Sequence, residues 1–335
     1  MSKDIKQPLR RRTLLGTGVA MGAALGVAAP AVLRAQTGDW PKGQLRFVVP
    51  FPPGGSTDPV ARILAAQLTA SLGWNIMIDN KPGGTGVVGA TVAAKAPPDG
   101  QTWLVVFDNH ILNPLFTADL PYKDSELANV MLIGRTPQAI GTHPDRPYKT
   151  MAEFIADAKK RPGKLSMSVL AASQALVLVN GMLGDNGFDI NVIPYKGGGP
   201  LLADALAGHT DTAISSVAAI SPHFASKKLR PIAVTSDKRI PALPDVPTLA
   251  EQGIKAPTSF AWWGVYAPAG TPRPIIDRMN AELKKAATSA EVSKKFIDQF
   301  NMEVLTSTPE EFAEFQRKEQ AIWGKIIKEK NLKPE

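Results

Sequence analysis

The sequence predicts an α/β protein in which two units, each a mostly parallel sheet flanked by helices, follow one another along the chain. Three observations carry this. Short apolar, β-rich runs alternate with helical patterns between 45 and 110 and again between 151 and 235. Glycine turns stand behind three of those runs, where a strand gives way to the next element. Finally, 335 residues at 44% apolar composition suffice for one large or two medium domains with real cores.

In the first unit the apolar run 45–50 reads as a strand, 59–71 as a helix, 76–79 as a strand, 87–95 as a short helix and 103–107 as a strand. A proline-rich stretch with Pro114, Pro121, Pro137, Pro144 and Pro147 then reads as irregular. The βα pattern restarts with a helix at 151–160, a strand at 165–169 and a helix at 174–183. A strand at 192–194, a helix at 201–207 and strands at 212–215 and 229–235 complete it. Prolines become frequent again from 241 to 274. Beyond Pro274 the chain is helical and amphipathic: Ile275, Met279, Leu283 and Ala286 form one apolar stripe, and Phe312, Phe315, Ala321 and Ile326 supply others. The expected path crosses to the second unit near 138, returns near 263 and packs the C-terminal helices on the first unit. Ligands of such folds bind outside the carboxyl ends of the strands.

Arg10-Arg11-Arg12 followed by a Gly/Ala-rich, weakly apolar run to Val32 and by Leu33-Arg34-Ala35 reads as a cleaved export signal over 1–35, of the twin-arginine or the general secretory type. Its loss leaves 32 basic and 29 acidic residues, a net charge of +3 in place of +8. The basicity belongs largely to the signal, so nucleic acid is not an expected partner, and a mild positive excess suits a small anion. With no cysteine, disulfides and thiolate metal sites are excluded.

Catalytic signatures are few. His110, His143, His209 and His223 do not fall at metal-ligand spacing, and neither a G-x-S-x-G elbow nor a Walker sequence occurs. His110 alone follows a predicted strand end, where it touches a ligand or serves the structure. Gly84-Thr85-Gly86-Val87-Val88-Gly89 is a literal G-x-G-x-x-G with Asp108 about twenty residues on, the dinucleotide pattern. It supports an alternative reading, an exported nicotinamide-dependent oxidoreductase. Against it, Asn80-Lys81-Pro82 separates the glycines from their strand.

Three glycine turns carry the main expectation: Phe51 to Asp58, Lys81 to Gly86 and Tyr195 to Pro200. At the first, the N–H groups of Gly54, Gly55, Ser56 and Thr57 hold an anionic oxygen with Asp58 capping the helix, or the segment is a tight βα turn only. Trp262-Trp263 reads as interdomain core more than as a stacking platform.

These residues stand in recognisable blocks: VVPFPPGGSTD at 48–58, NKPGGTGVVGA at 80–90, KAPPDG at 95–100, PYKGGGP at 194–200, VTSDKRIPALPDVPTLAEQG at 234–253 and YAPAGTP at 266–272. In order and spacing they resemble the periplasmic solute-binding receptors of tripartite tricarboxylate transporters, the Bug receptor family. The resemblance implies a two-lobed, Venus-flytrap α/β fold with 36–137 and 263–335 in one lobe and 138–262 in the other. It implies no catalysis and no cofactor, and a periplasmic monomer that binds a small organic anion and delivers it to a membrane permease or presents it to a membrane sensor. Carried over, it places Pro53, Gly54, Gly55, Ser56, Thr57 and Asp58 on a ligand carboxylate, with Gly83 and Gly84 in the neighbouring wall. Asp108, Asn109 and His110 follow the third strand, and Ser173, Gln174, Tyr195, Lys196 and Gly197 lie on the facing lobe. Two departures bear on specificity. Asp108 stands where relatives have a small residue, and faces the pocket or caps the next segment. Leu170, Ala171, Ala172 and Ala175 replace glycines and hydroxyls and make the facing wall more apolar; with an inward Asp108 this favours a monocarboxylate with an apolar or aromatic body, with or without an amine, over a short dicarboxylate or citrate.

Overall fold

In the computed structural model residues 40–53, 55–117 and 119–332 are described; the export signal expected over 1–35, and Gly54, lie outside them. The first elements follow the pattern of the sequence: β1 (Leu45–Val49), α1 (Thr57–Leu72), β2 (Ile76–Asn80), α2 (Val87–Ala94) and β3 (Thr102–Phe107). Helix α1 has Pro59 in its first turn, where no N–H is needed, and stops at Gly73, whose left-handed backbone returns an N–H to the Thr69 carbonyl. Val60, Ala61, Leu64, Ala65 and Leu68 form its buried face. Strand β1 pairs in parallel with β2 and β3, Val49 opposite Asn80 and Val48 opposite Leu104. The three carboxyl ends therefore open onto one edge.

After α3 (Asn113–Phe116) comes the first departure from expectation. The proline-rich stretch contains the long strand β4 (Leu127–Thr142). Pro137 does not break it because it sits at a handover: up to Pro137 the strand pairs with a later strand, and from Gln138 it pairs with two others. The second unit follows as α4 (Met151–Lys160), β5 (Ser166–Leu170), α5 (Gln174–Asn186), β6 (Asn191–Tyr195), α6 (Gly198–Leu206), β7 (Thr212–Ser216), α7 (Val217–Ala225) and β8 (Arg230–Val234). Helix α7, with Pro222 inside it, is a further element the proline signal hides. Strand β9 (Phe260–Pro268) runs through the second proline-rich stretch and returns the chain to β3 and the first half of β4, antiparallel to both. Helices α8 (Arg273–Thr288) and α9 (Ala290–Phe300), strand β10 (Glu303–Val304) and helix α10 (Pro309–Glu329) close the described chain.

The strands run in the order β2-β1-β3-β9-β4-β7-β5-β6, with β8 and β10 also on β4, so β4 carries the sheet from one unit into the other. At this passage the Gln138 N–H donates to Thr235 Oγ1 (3.0 Å), Gln138 Nε2 donates to Ser259 Oγ (3.1 Å) and the Thr235 hydroxyl donates to the Ser259 carbonyl (2.6 Å). These three buried polar residues tie both crossing strands and satisfy one another.

One core joins Phe47, Leu64, Trp103, Trp263, Met279 and Phe296 of the first unit. Another joins Leu104 and Ile111 to Phe154, Leu176 and Val177 of the second unit through Phe312 and Trp323 of α10. Helices α8 and α9 lie on the first unit's core as expected, but α10 packs against both β4 and α5. The expectation that all C-terminal helices rest on the first unit is corrected here. The aromatic stripe of α10 seats against β9 because Gly264 has no β-carbon: one added there would run into the Phe312 ring.

Candidate functional site

The site grows from the loops at the carboxyl ends of the parallel strands. Behind β1, Asn80 Nδ2 at the end of β2 donates to the Phe51 carbonyl (3.0 Å) and to Asp58 Oδ1 (2.9 Å), while Arg62 Nε donates to Asp58 Oδ2 (2.9 Å). Asp58 is buried in this network and braces the loop from below. It stands in the first turn of α1, whose N-cap residue, Ser56, makes no side-chain cap hydrogen bond. Pro53 and Gly55 are exposed, Ser56 half-buried and Thr57 buried. The loop thus leads into a helix N-terminus that its N-cap side chain, Ser56, does not cap, a geometry suited to an anion.

The second turn lies beside the first. Gly83, Gly84, Thr85 and Gly86 all have positive φ (134°, 52°, 53° and 99°), and a β-carbon at Gly83 would approach Val88 Cγ2 to 2.8 Å. Thr85 is held in this left-handed backbone by Asn109, whose amide nitrogen donates to its carbonyl. A β-carbon on Gly86 would sit 3.4 Å from Asn109 Nδ2 and 3.6 Å from Phe51 Cζ, so the first three loops adjoin. Gly89, the last glycine of the dinucleotide-like pattern, lets α2 close on the β1 end: its β-carbon would lie 2.7 Å from Pro50 Cα.

Behind β3, Asp108 is 1% exposed, accepts the backbone N–H of Asn109, and leaves Oδ1 without a hydrogen-bond partner among the described residues. Burial pushes its carboxyl well above the usual carboxylate range, and the nearby Glu319 adds to this. The turn that Asp108 opens has Phe107 at its N-cap position, with no side-chain cap hydrogen bond. His110 stacks on Tyr122 (5.9 Å between centroids, 2° between planes), tilts against Tyr266 (4.8 Å) and has Nδ1 3.4 Å from the Tyr122 hydroxyl. Burial lowers it to about 4, which keeps the ring neutral near pH 7.

On the second unit, β5 and β6 pair in parallel with Leu170 opposite Tyr195, so their loops also share an edge. Ser173 caps α5: its hydroxyl accepts the Leu176 N–H (3.3 Å) and donates to the Leu170 carbonyl (2.6 Å). Gln174 is fully buried, with Nε2 donating to Glu319 Oε2 (2.7 Å) and Oε1 unpartnered among the described residues. The Tyr195 hydroxyl donates to Asp204, Lys196 is exposed and Gly197 precedes α6. Leu170 packs against the first unit's core, and Ala175 joins the core shared with α10. Trp262 and Trp263 are fully buried, the first against Phe312 and Phe315, the second against Phe107 and Phe300.

The structure thus gathers the loops at 51–58, 83–86 and 108–110 on one edge and those at 171–174 and 195–197 on another. The 108–112 turn, α5 and α10 pack on each other. Sequence reasoning missed Glu319, which bonds Gln174 and takes the Trp323 indole N–H (2.9 Å), and the brace Asn80–Asp58–Arg62. A glutamate between the apolar positions Phe315 and Ile326 of a helix was the available signal for the first.

An α/β fold with a mixed sheet that runs through β4 and β9, with loops gathered at strand carboxyl ends, is the fold of periplasmic binding proteins. Residues 60–332 match the tripartite tricarboxylate transporter family receptor, TctC, and the chain belongs to that family. It is 35% identical over 315 residues to protein BugT of Bordetella pertussis, covering 93% of this chain and 95% of BugT. Among solved structures it is similar to R. palustris Rpa4515 with adipate (TM-score 0.84, 31% identity, 89% of this chain and 100% of that one). It is also similar to the periplasmic binding protein BugD (TM-score 0.80, 29% identity, 88% and 99%). The chain is therefore a solute-binding receptor of a family that works outside the cytoplasm.

Proposed function

We propose that the protein captures a small organic carboxylate between two lobes, 36–137 with 263–335 and 138–262, and hands it to the membrane permease of a tripartite tricarboxylate transporter. The observation that supports this is the N-terminus of the sixteen-residue helix α1, where Ser56 makes no side-chain cap hydrogen bond and where Phe51, held by Asn80, adjoins the glycine turn at 83–86. Pro53, Gly54, Gly55, Ser56 and Thr57 hold the carboxylate largely through backbone N–H groups. Gly83 and Gly84 line the neighbouring wall; Ser173, Gln174, Tyr195, Lys196 and Gly197 close from the other lobe. Asp58, Asn109 and His110 act from behind, bracing the loops. Residues 1–35 direct export to the periplasm, and the receptor acts as a monomer without a cofactor. Adipate in a relative of 31% identity supports the ligand class.

A thermal-shift screen of monocarboxylates, dicarboxylates, aromatic acids and amides, with NADH and NADPH beside them, tests this. A carboxylate at a hundred times its Kd stabilises the folded protein by about 2.7 kcal/mol, a plain rise in Tm. A shift with the nicotinamides alone, or turnover of a bound compound, would contradict the receptor reading.

A further inference from the structure

The cluster around Glu319 contains more acceptors than the protein can serve. Asp108 Oδ1 and Gln174 Oε1 belong to residues 1% and 0% exposed and have no donor among the described residues. Neither can turn away: Asp108 is held by the Asn109 N–H, and the Gln174 amide nitrogen is committed to Glu319 at 2.7 Å, which leaves its oxygen as an acceptor. A buried acceptor without a donor carries its full desolvation penalty until one arrives. The charges point the same way. Two carboxyls, Asp108 and Glu319, interact across this seam. Burial raises the Glu319 carboxyl, and the cation that partly offsets this, Arg135, is already engaged: its Nε donates to Glu303 Oε2 at 2.7 Å and its guanidinium lies 4.3 Å above the Phe260 ring. The seam is formed by the 108–112 turn of the first unit, the first turn of α5 in the second, and α10, which touches both.

We propose that this seam is the second half of the ligand site and takes a protonated amine, so that the receptor binds an amino-carboxylate: carboxylate at the 51–58 loop, ammonium between Asp108, Gln174 and Glu319. This rests on the carboxylate-receptor reading and deepens it. An ammonium brings three donors and a positive charge to two orphaned acceptors and two carboxyls, whereas a second carboxylate brings only acceptors and like charge. Discrimination follows from the group left unpaired when the wrong ligand enters.

Calorimetric titration with matched pairs decides it: 4-aminobutanoate against succinate, 6-aminohexanoate against adipate, and 4-(aminomethyl)benzoate against terephthalate. The amine of the best-binding pair should bind at least about tenfold tighter than its dicarboxylate, a difference of about 1.4 kcal/mol. In Asp108→Asn, and separately in Glu319→Gln, the ratio should fall to within about threefold, with cooperative unfolding confirming that each variant is folded. A dicarboxylate that binds as tightly as its amine, or tighter, overturns the amine site and leaves the carboxylate reading standing. A ratio unchanged in both folded variants also overturns it. Binding by no member of the panel ends both.

Discussion

At the scale of single residues, the burial of Asp108 and His110 gives stability two opposite dependences on pH. His110 has a folded pKa of about 4 against an ordinary value near 6.5, so the unfolded chain binds the extra proton between these values. Its contribution is present above pH 6.5 and is lost as pH falls toward 4, about 3 kcal/mol in total. Asp108 is raised, so its contribution is present at low pH and is lost as pH rises through and above the usual carboxylate range. Urea unfolding between pH 4.5 and 8 should then show His110→Gln with a flatter acid limb. Asp108→Asn, isosteric and uncharged, should be more stable than the wild type at pH 8 and lose that advantage at pH 4.5. Curves parallel to the wild type in both variants would contradict these assignments. Much at this scale was legible: the glycine turns fall at strand ends because glycine readily takes the φ values seen at 83 and 86, which other residues rarely adopt. The Gln174–Glu319 bond was not legible, since its partners stand 145 positions apart and no local pattern joins them.

Among the elements, the βα alternation of both units could be read from apolar runs, whereas β4 and β9 could not, because prolines there imitate loop. Pro137 is tolerated where β4 changes partners, a feature of pairing that local sequence does not encode. The seating of α10 was equally hidden, since it depends on an absent β-carbon in β9. Gly264→Ala should destabilise the protein by about 1–3 kcal/mol through overpacking against Phe312. Hydrogen exchange should quicken in α10 more than in α1. Unaltered stability would mean that the helix yields without cost and is not fixed by this contact.

For the whole molecule, the fold class followed from the chain pattern, while the bridging position of α10 did not. Helix α10 reaches α5 through Glu319–Gln174 and through Lys330 Nζ, 2.7 Å from Asp185 Oδ1, and reaches the first unit through Gln316 and Gln320. Closure about the passages at 137–138 and 259–260 should therefore be a small hinge motion with α10 resting on one lobe and meeting the other. Small-angle scattering should give a lower radius of gyration at saturating carboxylate than without it. Superimposable profiles would contradict closure.

The central claim is that the 51–58 loop holds the carboxylate through its backbone. Gly55 is the place to test it, because a β-carbon there meets only the Pro52 carbonyl at 3.8 Å, so valine fits the fold while crowding the loop face. Calorimetric titration of the wild type and Gly55→Val with the carboxylate that gives the largest thermal shift is the most direct measurement. At least about a hundredfold loss of affinity, about 2.7 kcal/mol, with Tm in the absence of ligand unchanged, is the expected result. Equal affinity in the two proteins would contradict it.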